Sequence, residues 1–111
     1  MPFVHLHTHS EYSVLDGHAK IATLVGRAKE LGMPALSITD HGVMFGAVEF
    51  YRAARKAGIH PVIGCEIYFT TGSRFHRQGK QRLYHLLLLA KNQTCYRNLM
   101  AMVSQSHVEG C

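Results

Sequence analysis

KIATLVGRAKELGMPALSITDHG, residues 20–42, contains a whole helix-to-strand passage and fixes the fold class. Ile21, Leu24, Val25, Ala28 and Leu31 recur at helical spacing, so one face of the segment is apolar. Gly32 stands where a helix-ending glycine belongs, and Pro34 follows closely. PALSIT, 34–39, then reads as a short apolar strand, and Asp40 and His41 come immediately after it. A helix feeding a buried strand whose far end carries polar groups is the unit of an α/β protein. The C-terminal strand ends form the functional rim of such folds.

The same pattern extends outward in both directions. FGAVEFYRAARKAG, 45–58, is a second amphipathic helix with Val48, Tyr51 and Ala54 on its expected inner face and Gly58 at its end. HPVIGCEIYF, 60–69, and YHLLLLA, 84–90, are long apolar strands, separated by the polar, basic loop TTGSRFHRQGKQR. A helix follows from about Thr94, with Thr94 as its expected N-cap. Upstream, residues 3–8 alternate, with Phe3, His5 and His7 on one side and Val4, Leu6 and Thr8 on the other, the period of a strand. SEYSVLDGH is a loop. The expected order is β-α-β-α-β-loop-β-α, with a parallel sheet covered on both faces. An open α/β sheet and part of a (β/α) barrel both fit.

Composition excludes several classes. With 47% hydrophobic and 17% charged residues the chain is globular rather than disordered. No apolar run approaches a membrane span, and the first residues lack the layout of a signal peptide, so a cytoplasmic protein is expected. Cys65, Cys95 and Cys111 form neither a disulfide framework nor a zinc-finger spacing and read as reduced thiols, with Cys65 a small core residue. The formal charge of +5 is compatible with polyanionic partners.

Nine histidines are the more unusual feature. His7 and His9 lie two apart at the end of the first strand and so point to one face. Asp16 lies in the following loop, Asp40 and His41 follow the second strand, Glu66 sits late on the third and His85 early on the fourth. Imidazoles and carboxylates gathered at adjacent strand ends suit zinc, manganese or iron. Two or three such ions together can act on a phosphoester. His5 shares the face of His7 and is a candidate supporting residue. His18, His60, His76 and His107 read as solvated. Arg74, Arg77, Lys80 and Arg82 read as a solvated loop first and a weak phosphate-contacting patch second.

HLHTHSEYSVLDG together with LGMPALSITDHGVMFGAVEFYRAARKAGIHPVIGCEIY resembles the PHP (polymerase and histidinol phosphatase) domain. SVLDG, MFGAVEFY and HLLLLAKNQTCYRNLM are more similar to the version that opens replicative bacterial DNA polymerases of the DNA polymerase III kind than to the stand-alone phosphatases. The resemblance implies a distorted (β/α)7 TIM-like barrel of which residues 1–111 are the first half, with two or three divalent ions, zinc or manganese, in the intact domain. It assigns His7, His9, Asp16, His41, Glu66 and His85 as ligands and Asp40 as a residue that orients its neighbour or a bound water. It also implies further ligands and strands beyond residue 111, and DNA and replisome subunits as partners through the parent polymerase. The expected activity is 3′→5′ phosphodiester hydrolysis of the proofreading type. The alternatives are a metal-binding scaffold without chemistry and a stand-alone phosphatase of the histidinol-phosphate type.

Overall fold

A computed structural model describes residues 3–13, 19–70 and 83–109. Six elements follow in order: α1 (Ile21–Glu30), β1 (Ala35–Ile38), α2 (Ala47–Ala57), β2 (His60–Phe69), β3 (Tyr84–Leu89) and α3 (Gln93–Glu109). The three strands form one sheet in the order β1-β2-β3. None of the helices among the described residues is long and apolar enough to cross a membrane.

Both early helices end as the sequence predicts. Gly32 and Gly58 have φ of +71° and +77°, the left-handed conformation that costs glycine least. After α1, Gly32 N–H donates to the Lys29 carbonyl and Met33 N–H to that of Ala28. After α2, the same pair runs from Gly58 to Arg55 and from Ile59 to Ala54. These bonds satisfy carbonyls the helix leaves open and turn the chain directly into the next strand. At α3 the capping residue is Asn92 rather than Thr94: the Asn92 side-chain oxygen accepts the Cys95 N–H at 2.9 Å.

The helices cover one face of the sheet. Ile21, Val25 and Ala28 of α1, Leu36 and Ile38 of β1, Phe50 and Ala54 of α2, and Ile59 form the larger core. Cys65, Leu99 and Val103 form a second, smaller cluster where α3 lies on β2 and β3. In α2 the buried stripe is Ala47, Phe50 and Ala54, not the expected Val48, Tyr51 and Ala54. Two apolar stripes compete there, and the one carrying the large Phe50 ring goes inside. Val48 and Tyr51 are half exposed and line a cavity of about 450 Å³ with Pro61, Ile63 and Tyr96.

Two expectations about the strands need correction. β1 and β2 are parallel, with Ala35 opposite His60 and Ile38 opposite Ile63, but β3 is antiparallel to β2. The sheet is therefore mixed, not all-parallel. Parallel neighbours require a crossover, usually a helix; none is predicted between these two strands, so β3 folds back as the second arm of a hairpin. The N-terminal segment, in turn, is not a regular strand. It runs beside β1, where Ser37 N–H bonds the His5 carbonyl and Thr39 N–H bonds that of Thr8. Three residues on one side thus match two on the other. The Thr39 hydroxyl takes up the slack, accepting the Thr8 N–H at 3.0 Å and donating back to the Thr8 carbonyl at 3.2 Å.

Candidate metal centre

The β1–β2 register continues past the end of β1. His41 pairs with Glu66 in an isolated parallel bridge, with Glu66 N–H bonded to the Asp40 carbonyl and Gly42 N–H to that of Glu66. Backbone pairing therefore sets His41 beside Glu66. On the other side of β2, Glu66 stands opposite Leu87 and Tyr68 opposite His85. Residues directly opposite share a face, as do residues two apart on one strand. Glu66, Tyr68 and His85 thus lie on one face, while Cys65 and Ile67 lie on the face under α3. The antiparallel direction of β3 also explains why a ligand-type residue sits near its start: that start lies at the C-terminal end of β2.

Four imidazoles meet the Glu66 carboxylate. Its Oε2 atom lies 3.0 Å from His7 Nε2, 2.6 Å from His9 Nε2 and 3.3 Å from His41 Nδ1. Its Oε1 atom lies 2.9 Å from His85 Nδ1. The ring centroids of His9 and His41 are 4.1 Å apart, and those of His41 and His85 are 5.4 Å apart. Burial of the Glu66 side chain works against its charge, yet the bonds from His7, His85 and His9 and the neighbouring His41 prevail and pull its pKa down to about 2. Two donor trios share this residue, His7–His9–Glu66 and His41–Glu66–His85, with the ligand atoms of each within 4.8 Å of one another. Each trio offers the mixed nitrogen and oxygen donors that suit a divalent cation, and Glu66 is common to both.

The loop bearing the first two histidines is held by a second polar network. Asp40, 2% exposed, accepts hydrogen bonds from Ser10 N–H at 2.6 Å, Ser10 Oγ at 2.7 Å and Ser13 Oγ at 2.9 Å. Ser13 Oγ in turn accepts the His41 backbone N–H at 3.0 Å. Asp40 thus orients its neighbour by way of Ser13 and fastens the loop after His9 to the end of β1. Sequence reasoning placed Asp40 near the site but missed Ser10 and Ser13, whose only signal is their position directly after the histidine run.

Of the expected site residues, the fold brings together His7, His9, His41, Glu66 and His85, with Asp40 behind them. His5 is exposed and packs edge-on against Phe3, with ring centroids 4.6 Å apart. Asp16 and the basic residues Arg74, Arg77, Lys80 and Arg82 lie outside the described residues, as do His18, His76 and Cys111. His107 is exposed, as expected, and its Nε2 also lies 2.9 Å from the Gly42 carbonyl, linking the end of α3 to the turn after His41. Cys65 is a core residue as expected: fully buried, its thiol is pushed up to about 11 by burial.

A strand-end cluster of imidazoles around one carboxylate, on an α/β sheet, is the donor set of a candidate metal site. The chain belongs to the PHP domain family, whose model matches residues 5–111. Within that family its relatives include DNA polymerase III alpha subunits. That of Treponema pallidum is 51% identical over 99% of this chain, and that of Borreliella burgdorferi is 49% identical over 97%. The chain spans about a tenth (10%) of the length of each. Among solved structures, an amidohydrolase from Chromobacterium violaceum, with bound sulfate and no metal, superposes with a TM-score of 0.63 at 23% identity, over 96% of this chain and 34% of that one. A protein described as a metal-dependent phosphoesterase from Bifidobacterium adolescentis gives 0.60 at 23% identity, over 95% and 32%. These two likenesses are of fold.

Proposed function

We propose that residues 1–111 are the opening part of the PHP domain of a DNA polymerase III alpha subunit. In the intact protein this domain hydrolyses phosphodiesters at the 3′ end of a DNA strand. The observation that carries the reading is the convergence of four imidazole nitrogens on the two oxygens of Glu66. Each nitrogen beside Glu66 can offer a lone pair in place of a proton, so the atoms that now bind the carboxylate are those that would hold the ions. His7 and His9 would serve one position, His41 and His85 the other, with Glu66 common to both and Asp16 added from the loop. Bound zinc or manganese would supply Lewis acidity toward the phosphoryl group. Asp40, Ser10 and Ser13 keep the ligand loop in place. DNA and the replisome are the partners, reached through the rest of the subunit, and the remaining strands of a TIM-like barrel would complete the fold.

The test is made on the full-length protein. Purified with metal, it is expected to shorten a single-stranded oligonucleotide from its 3′ end, with chelation stopping the reaction. Replacement His9→Ala or Glu66→Gln should lower both bound metal and hydrolysis by at least about a hundredfold, the scale expected when a group needed for the chemistry is lost. Stoichiometric metal with no hydrolysis above that of His9→Ala would instead make the domain a scaffold.

A further inference from the structure

Tyr68 lies on the same face of β2 as Glu66 and directly opposite His85, yet the metal reading gives it no task. Its ring meets that of His85 edge-on, with centroids 5.0 Å apart, and lies nearly parallel to that of His41 at 6.1 Å with an interplanar angle of 11°. Two candidate ligands therefore hold the ring in place, while half of the residue remains open to solvent, 50% exposed. The flanking rings of His41 and His85 restrict the turning of the Tyr68 ring. A planar group arriving at the rim would find that surface preorganised.

We infer that Tyr68 is a substrate-positioning residue: its ring stacks on the base of the terminal nucleotide and so sets the adjoining phosphodiester over the candidate centre. This rests on the phosphodiesterase reading and adds to it the residue that holds the terminal base of the strand. Every base has a flat π-face, so such a contact favours nucleic acid over simple phosphate esters without selecting a sequence. The ring, rather than the hydroxyl, is the active part. Phe69, its neighbour on β2, is equally exposed at 50% but shares the face of Ile67 and has no such role.

The full-length, metal-loaded protein is tested on two oligonucleotides, one ending in thymine and one in an abasic nucleotide. Tyr68→Ala should raise KM for the thymine end about tenfold, the scale of one lost base–aromatic stack. Its metal content, and its kcat and KM for the abasic end, should stay within about twofold of wild type. Tyr68→Phe and Phe69→Ala should behave as wild type on both. In protein stripped of metal with EDTA, a 3′-terminal 5-iodouracil should photo-cross-link to the peptide containing Tyr68. An equal rise in KM for both ends would overturn the inference, as would Tyr68→Phe behaving like Tyr68→Ala, Phe69→Ala reproducing the defect, or the cross-link missing this peptide. Absence of any His9→Ala-sensitive hydrolysis would overturn the phosphodiesterase reading instead, and the cross-link would still decide the fate of Tyr68.

Discussion

Cys65 and Glu66 are adjacent on β2, are both buried, and face opposite sides of the same sheet. On the helix-covered side, burial pushes the Cys65 thiol up to about 11. On the other side, burial opposes the charge of Glu66, but the surrounding imidazoles overrule it and hold the carboxyl at about 2. One face is organised to exclude charge and the other to concentrate it. The covered face holds Leu36, Ile38 and Cys65 at 3% exposure or less, and helices supply its contacts. The other carries Glu66 together with Tyr68, His85 and Leu89, the last 38% exposed. The fold is thus stabilised on one side of the sheet and the candidate site set out on the other, and substitutions should separate the two.

Phe50→Ala strikes the covered face hardest. Phe50 is fully buried between α1, α2 and β1, and its removal would leave a large cavity. A loss of about 3–5 kcal/mol is expected, enough to unfold a marginal domain. Urea denaturation of the full-length protein, followed by a probe within this domain, measures it. A loss below about 1 kcal/mol would mean that this core does not carry the fold.

Asp40→Ala comes next and tests whether the two faces are independent. It leaves Ser10 N–H and two serine hydroxyls without their acceptor at a buried position. The expected cost is about 2–3 kcal/mol, because hydrogen bonds to a buried charge exceed neutral ones and orphaned donors add a penalty. Metal affinity should fall further than stability alone accounts for, since the loop after His9 loses its anchor; isothermal titration with zinc reads this. Unchanged affinity in a variant that is still folded would detach Asp40 from the site.

What the sequence disclosed follows the same division. Helix ends were legible because Gly32 and Gly58 are chemical punctuation, and the bounds of β2 because its apolar run is continuous. The gathering of His7, His9, His41 and Glu66 followed from their places at strand ends, whereas His85, early on its strand, was assigned only by the family resemblance and is brought to the cluster by the antiparallel direction of β3. The direction of β3 was harder to see, because apolar leucines suit either pairing and only the lack of a crossover helix speaks for the hairpin. The N-terminal segment alternates like a strand yet pairs three residues against two, a mismatch settled by the Thr39 hydroxyl rather than by hydrophobic period. Val48 and Tyr51 misled because side-chain volume, not periodicity, chose between two apolar stripes of α2.

Cys65 gives the smallest effect and the sharpest comparison with its neighbour. The folded-state pKa of its thiol is raised from 9.0 to about 11, so the folded state holds this proton more tightly than the unfolded chain. The corresponding stability is fully present below pH 9 and is lost as pH rises through about 11. Cys65→Ala should flatten that alkaline limb while changing stability at pH 7 by only about 1 kcal/mol, since it removes one small buried atom. At neutral pH the wild-type thiol should react with a disulfide reagent far more slowly than the partly exposed Cys95. Slow, denaturant-accelerated labelling of Cys65 would confirm that this face opens only when the domain does. Labelling as fast as that of Cys95 would mean that α3 lifts off the sheet on its own, and that the covered face of β2 is less firmly closed than the charged side it backs.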